Sequence, residues 1–211
     1  MNLFLKALSG ARVYPLTDTH VSGLSHEQQV MTLSSSGARI IQLREKELEG
    51  REFYGEAAAA IRIAREKGVR IIINDRVDIA LAVKAEGVHL GQDDLPPAAA
   101  RQILGKEAII GVSTHNLEQL KIAAKMPVDY VALGPIYRTT TKQSSNTPLG
   151  RDAVRRAREL LGDIPLVVIG GVTKANGRQL VDAGSTALAM ITDCWKSHND
   201  GPETLRKLFQ L

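Results

Sequence analysis

The chain is short of the features that mark a special environment. It has one cysteine, Cys194, so it can form no internal disulfide and suits a reducing compartment. No apolar run approaches the length of a membrane span. The first ten residues, Met1 to Gly10, are too short and lack the build of a signal peptide. Blocks of like charge are missing too. The net charge of +4 comes from basic residues interspersed with acids, which fits small anionic substrates and not nucleic acid. Aromatics are only 4% of the chain, and the apolar content lies in Ala-rich helical stretches and short Val/Ile/Leu runs, a split that favours α/β over all-β. The expectation is a cytoplasmic protein with no membrane or nucleic-acid partner. The sequence leaves the oligomeric state open and is compatible with a homo-oligomer.

What is present is an alternation. Eight short apolar runs read as strands: Arg12–Thr17, Ala38–Leu43, Arg70–Ile73, Gly87–Leu90, Ala108–Val112, Asp129–Leu133, Pro165–Ile169 and Thr186–Met190. Helical patterns lie between them. Ser25 with Gln28 forms a capping box, Pro97 sits at a helix start, and Asn116 and Thr173 are N-caps. A closing helix runs from Glu203 to Leu211. The spacing of roughly 25 residues per unit, with no linker, predicts an α/β fold that is a single (βα)8 TIM barrel, one domain over residues 1–211. An open doubly wound sheet is the alternative.

In such a barrel the groups just after each strand share the catalytic face. There fall Asp18, Arg44 with Lys46, Asn74 with Asp75, Gln92 to Asp94, Ser113, the loop Gly134 to Lys142, Gly170 with Gly171, and Thr192. The segments entering the strands hold mainly turn residues. Asp75 and Asp94 end two successive parallel strands, and two hard oxygen ligands on one sheet edge suit Mg²⁺ holding a phosphate. Helix capping explains either acid alone about as well. Gln42 and Arg44 share a parity that points both into the barrel mouth, where Arg44 offers paired hydrogen bonds to phosphate and Lys46 a point charge. The long polar loop with Thr139, Thr140, Thr141 and Lys142 can wrap a phosphate, and Gly170-Gly171 lets the backbone approach an anion. His89 reads as a structural or lining residue, His115 as part of a helix start, and Cys194 as a bystander. No nucleophile–base pair is evident. Cations, carboxylates, amides and hydroxyls suit metal-assisted displacement of a phosphate leaving group.

Gln42-Leu-Arg-Glu-Lys46, Asn74-Asp75, Gly87-Val-His-Leu-Gly-Gln-Asp-Asp-Leu-Pro96, Gly111-Val-Ser113, Gly134-Pro135 with Thr139 to Lys142, and Ile169-Gly-Gly171 together resemble the thiamine phosphate synthase family. The match runs from about Tyr14 to Thr192, and the order and spacing of the motifs are more specific than any one of them. The resemblance implies a βα barrel that joins hydroxymethylpyrimidine diphosphate to a thiazole phosphate, or its carboxylated precursor, with Mg²⁺, releasing thiamine phosphate and pyrophosphate. Carried over by position, it implies Mg²⁺ on Asp75 and Asp94. It places the pyrimidine diphosphate on Gln42, Leu43, Arg44, Glu45, Lys46, Asn74, Ser113 and Lys142. The thiazole phosphate falls to Thr139, Thr140, Thr141, Gly171, Ile191 and Thr192. Arg44, Lys46 and Lys142 would stabilise departing pyrophosphate in a dissociative reaction. The chain departs from the family pattern at Arg138, Arg151 and Asp193-Cys194. Two other readings compete: a thiazole tautomerase-like isomerase, whose branch generally lacks the paired aspartates, and a non-catalytic phosphate-binding barrel.

Overall fold

Period-two alternation of side chains decides the barrel. In each apolar run one parity packs outward under the helices and the other inward. The computed structural model describes residues 2–139, 146–199 and 201–211; Thr140, Thr141 and Lys142 of the expected phosphate loop lie outside the described residues. The strands are β1 Val13–Pro15, β2 Ile40–Leu43, β3 Arg70–Asn74, β4 Gly87–Leu90, β5 Ile109–Thr114, β6 Tyr130–Leu133, β7 Leu166–Val168 and β8 Ala187–Met190. All neighbours pair in parallel in the order β1-β8-β7-β6-β5-β4-β3-β2. A bridge between Leu16 and Gln42, with the Thr17 N–H on the Gln42 carbonyl at 2.9 Å, joins β1 to β2 and closes the ring. The eight-stranded barrel is therefore as expected, with strand ends shifted by one or two residues.

The helices are α1 Leu3–Leu8, α2 Thr19–Ser22, α3 His26–Ser35, α4 Gly50–Glu66, α5 Val77–Val83, α6 Pro97–Leu104, α7 Leu117–Ala123, α8 Arg151–Leu161, α9 Lys174–Asp182, α10 Thr192–Asn199 and α11 Pro202–Leu208. The Ser25/Gln28 capping box forms, Asn116 and Thr173 cap α7 and α9, and Asn176 completes a second capping box. Three short helices, α1, α2 and α10, were not expected. Each is too brief, or too weakly periodic, to show an apolar stripe in sequence.

Outward residues such as Ile41, Leu43, Ile71, Ile73, Val88, Leu90, Val112 and Leu133 form the layer between strands and helices. Inward residues form a second core: Tyr14, Leu16, Ile40, Ile72, Ile109, Tyr130, Ala132, Val167, Ala187 and Ala189. Burying each large aliphatic side chain contributes about 1.5–3 kcal/mol. The floor is closed by α1. Phe4 is fully buried and stacks on Tyr130 with ring centroids 4.1 Å apart, while the Asn2 amide donates to the Asp129 carbonyl at 2.9 Å. One end of the barrel is thus filled, and the polar inward residues gather at the other.

Candidate active site

Below the mouth the inward parity supplies a line of polar groups. The Gln42 amide Nε2 donates to the Tyr14 hydroxyl at 3.1 Å, and the Tyr14 and Tyr130 hydroxyls are 3.1 Å apart. The Tyr130 hydroxyl meets His89 Nδ1 at 2.9 Å, and His89 Nε2 meets Ser113 Oγ at 2.8 Å. His89 therefore lines the barrel, as expected. Burial pushes both tyrosine hydroxyls well above their ordinary pKa, so they stay neutral donors and acceptors. The line orients Gln42: with Nε2 spent on Tyr14, its Oε1 is buried without a partner among the described residues, and so is Asn74 Nδ2. An orphaned acceptor and an orphaned donor at the site each lack a bond that burial makes costly to forgo.

Sequence reasoning did not single out Tyr14 and Tyr130. The available signal was Gly111, facing Tyr130 across the ladder, since a strand glycine marks a close approach. A Cβ there would sit 2.0 Å from the Tyr130 ring.

The loop after β2 carries the cations. Arg44 forms an ion pair with Asp18, and its side chain is 15% exposed. Lys46 forms an ion pair with Asp75. Leu43 has the outward parity and packs under the helices, which leaves only its backbone for a ligand. Glu45 accepts from the N–H groups of Lys46 and Glu47, each at 2.7 Å, and faces His26 at 3.1 Å.

Asp75 and Asp94 come together at the mouth. Asp75 follows β3 with φ +62°, a left-handed conformation that Asp tolerates better than most residues, and its N–H bonds the His89 carbonyl at 2.8 Å. Asp94 accepts the Gly91 N–H at 2.6 Å. Neither acid caps a helix: the N-cap positions of α5 and α6 are Arg76 and Pro96, and neither helix has a side-chain cap, which removes the capping explanation. Burial, partly offset by the Gly91 N–H, then a hydrogen bond and like charge from Asp75, hold the Asp94 pKa up. The two acids lie close enough to repel one another, with Lys46 paired to Asp75, and two such hard oxygen donors are the chemistry a divalent cation takes. Among the described residues no group of three or more His, Cys, Asp or Glu is gathered for a metal. Two carboxylates are the number held by an ion that takes one or two of them and completes its shell with phosphate oxygens and water.

On the opposite rim the segment after β6 crosses the Gly170-Gly171 turn. The Ile136 and Tyr137 N–H groups bond the carbonyls of Ile169 and Gly170, both at 2.9 Å. Gly171, at φ +63°, would place a Cβ 2.5 Å from the Arg138 carbonyl, so the glycines serve a close backbone crossing. Thr139 and Ile191 are half-buried, and Thr192 opens α10. The Asp193 carboxylate accepts the Lys174 N–H at the start of α9 at 2.7 Å. His115 Nδ1 bonds the Gly134 carbonyl at 2.8 Å and its N–H bonds Gln119, so it anchors a loop and a helix start. Cys194 is buried, and burial raises its thiol pKa well above the ordinary value.

A closed βα barrel with cations, paired carboxylates and amides converging on its C-terminal face defines an enzyme that handles phosphorylated small molecules. The family model described as thiamine monophosphate synthase matches residues 13–194. The thiamine-phosphate synthase of Chloroflexus aurantiacus is 41% identical over 182 residues, covering 86% of this chain and 83% of the relative. That of Azorhizobium caulinodans is 46% identical over 158 residues, covering 75% and 74%. The solved thiamine phosphate pyrophosphorylase of Pyrococcus furiosus superposes with a TM-score of 0.83 at 31% identity, covering 94% of this chain and 95% of that one. The chain belongs to the thiamine monophosphate synthase family, and its reaction class is that of a transferase making thiamine phosphate.

Proposed function

We propose that the mouth binds hydroxymethylpyrimidine diphosphate against Gln42, Arg44, Lys46, Asn74 and Ser113, with Lys142 from the loop after β6. The thiazole phosphate lies toward Thr139 to Thr141, Gly171, Ile191 and Thr192. The orphaned Gln42 Oε1 and Asn74 Nδ2 suit a planar heterocycle that offers both a donor and an acceptor edge. The protein acts as one cytoplasmic domain on small phosphorylated substrates. Among the described residues no helix is long and apolar enough to cross a membrane.

Asp75 and Asp94 would hold Mg²⁺, which when bound supplies positive charge to the leaving diphosphate. The carbon–oxygen bond between the pyrimidine methylene and the diphosphate breaks, and its electron pair leaves with pyrophosphate. Arg44, Lys46 and Lys142 take up that negative charge. The thiazole nitrogen donates its lone pair to the resulting methylene cation and closes the new carbon–nitrogen bond. The buried floor below Gln42 restricts water, which would otherwise capture the cation.

One observation carries this reading: Lys46, Asp75 and Asp94, from three successive strand ends, are mutually engaged at one edge of the mouth. Purified protein with Mg²⁺ and both phosphorylated rings should form thiamine phosphate and pyrophosphate in equal amounts. No product, under conditions where a relative is active, would overturn it.

A further inference from the structure

Beside the mouth lies a buried cluster that the reaction does not use. His26 is fully buried at the start of α3, with its ring 5.8 Å from that of Phe53. Its backbone N–H donates to Glu56 at 3.0 Å. Its Nδ1 meets the Thr17 hydroxyl at 2.8 Å, and its Nε2 meets Glu45 Oε2 at 3.1 Å. Thr17 Oγ1 accepts the Arg44 N–H at 3.1 Å. Glu45 Oε1 accepts the N–H groups of Lys46 and Glu47, both at 2.7 Å, and that of Leu48 at 3.3 Å. Oε2 also receives the Thr19 hydroxyl at 3.4 Å. The side chain of Glu45 is 3% exposed. A neutral imidazole donating from Nε2 to Glu45 and accepting at Nδ1 from Thr17 satisfies every atom of the cluster.

Three successive N–H groups converging on one oxygen form the concavity in which phosphates are commonly bound. In this loop the concavity is already filled by the protein's own carboxylate. The diphosphate cannot use those amides, so from this stretch it meets only the side chains of Arg44 and Lys46. Their placement depends on the fold of the backbone that carries them.

We propose that Glu45 and His26 are positioning residues: their buried pair staples the backbone after β2 into the shape that presents Arg44 and Lys46 to the diphosphate, and Glu45 itself makes no substrate contact. Glu45 lies within the stretch that the family resemblance assigns to substrate. This inference takes that stretch as the diphosphate site and separates its members, with Arg44 and Lys46 facing the ligand and Glu45 holding the loop.

The test pairs kinetics with amide exchange in Glu45→Ala, Glu45→Gln and Lys46→Ala. Circular dichroism first shows each variant folded. Glu45→Ala should raise the KM for pyrimidine diphosphate by about 10-fold or more, through misplaced cations, and leave the KM for thiazole phosphate within about twofold. The amides of Lys46, Glu47 and Leu48 should exchange about 10-fold faster or more. Glu45→Gln keeps an oxygen for those amides, and a ring-tautomer change at His26 accommodates its NH₂, so it should stay within about threefold of wild type. A direct substrate contact makes the opposite forecast, since removing a negative charge beside an anion would lower the KM in the Gln variant. That result overturns the proposal. So does unchanged amide exchange in Glu45→Ala, or faster exchange with unchanged KM. Lys46→Ala is the control for the diphosphate site: if it leaves that KM unaltered, the site assignment falls, and amide exchange still accepts or rejects the staple.

Discussion

Lys46 and Asp75 are ion-pair partners across the gap between the loop after β2 and the end of β3. On the function proposed above, each would also be wanted by a ligand, Asp75 by the metal and Lys46 by the diphosphate. A metal that takes Asp75 releases Lys46, so the two ligands should bind cooperatively. Removing the cation should have opposite effects on them. Lys46→Met should bind Mg²⁺ alone about two- to fivefold more tightly, the range expected of a partly exposed pair, and pyrophosphate more weakly. Isothermal titration with Mg²⁺, pyrophosphate and both together measures this. Weaker Mg²⁺ binding in the variant would refute the competition.

Asp94 separates stability from activity. Burial and its neighbour Asp75 raise its pKa, against the Gly91 N–H. An acid whose pKa is higher folded than unfolded makes the native state lose stability as pH rises through the unfolded value. Asp94→Asn still accepts the Gly91 N–H and relieves the repulsion. It should melt at the same temperature or a few degrees higher at pH 7, an advantage that fades near pH 3, where the wild-type carboxyl is also neutral. Activity should fall by about 100-fold or more. Melting curves at the two pH values, with turnover at pH 7, test both halves.

The line from Gln42 to Ser113 should respond to single-atom edits. Tyr130→Phe deletes a hydroxyl that Tyr14 and His89 both use, leaving buried groups unpaired at a cost of about 1–3 kcal/mol. The melting temperature should fall by roughly 2–10 °C for a chain of this size. Gly111→Ala should be worse, because its methyl would overlap the Tyr130 ring. A Gly111→Ala protein as stable as wild type would mean that the ring is not wedged as described.

Gly171→Ala tests the opposite rim. The methyl would meet the Arg138 carbonyl at 2.5 Å, and φ +63° is unfavourable for alanine. The expected outcome is displacement of the segment after β6. That raises the KM for thiazole phosphate by about 10-fold and changes the KM for pyrimidine diphosphate little.

Glu45 has a pH signature of the other sign. Burial raises its pKa, yet the N–H of Glu47, His26, and the N–H groups of Leu48 and Lys46 outweigh burial and lower it overall. A depressed folded pKa gives stability that is full above the unfolded value and lost as pH falls through the folded one. Glu45→Gln should therefore lose less melting temperature than wild type between about pH 5 and pH 3. Parallel acid titrations followed by circular dichroism would show it.

The barrel was legible because strand parity is a two-residue code that survives small errors in strand ends. Asp75 and Asp94 were legible for the same reason, since a residue that follows a strand has its location set by topology. Capping could be dismissed only with the structure, which shows α5 and α6 starting without help from either acid. His26 was hidden because a residue after an N-cap serine reads as helix surface, and its burial comes from the distant contacts Glu45 and Phe53. Tyr14 and Tyr130 passed as apolar core, since nothing local reveals that their hydroxyls meet. Gly170-Gly171 drew attention as an anion cradle, and the structure adds a backbone crossing that needs two residues without side chains.

Phe4 gives the molecule a direction of traffic. With that ring seated on Tyr130 and the Asn2 amide bonded to the Asp129 carbonyl, the described residues fill the barrel's lower end. On the site proposed above, both reactants would arrive, and both products depart, by the rim that carries Lys46, Asp75 and Gly171. Pyrophosphate and the finished vitamin phosphate would then have to clear the same doorway before the next pair is loaded, so either product in excess should slow the entry of both incoming molecules.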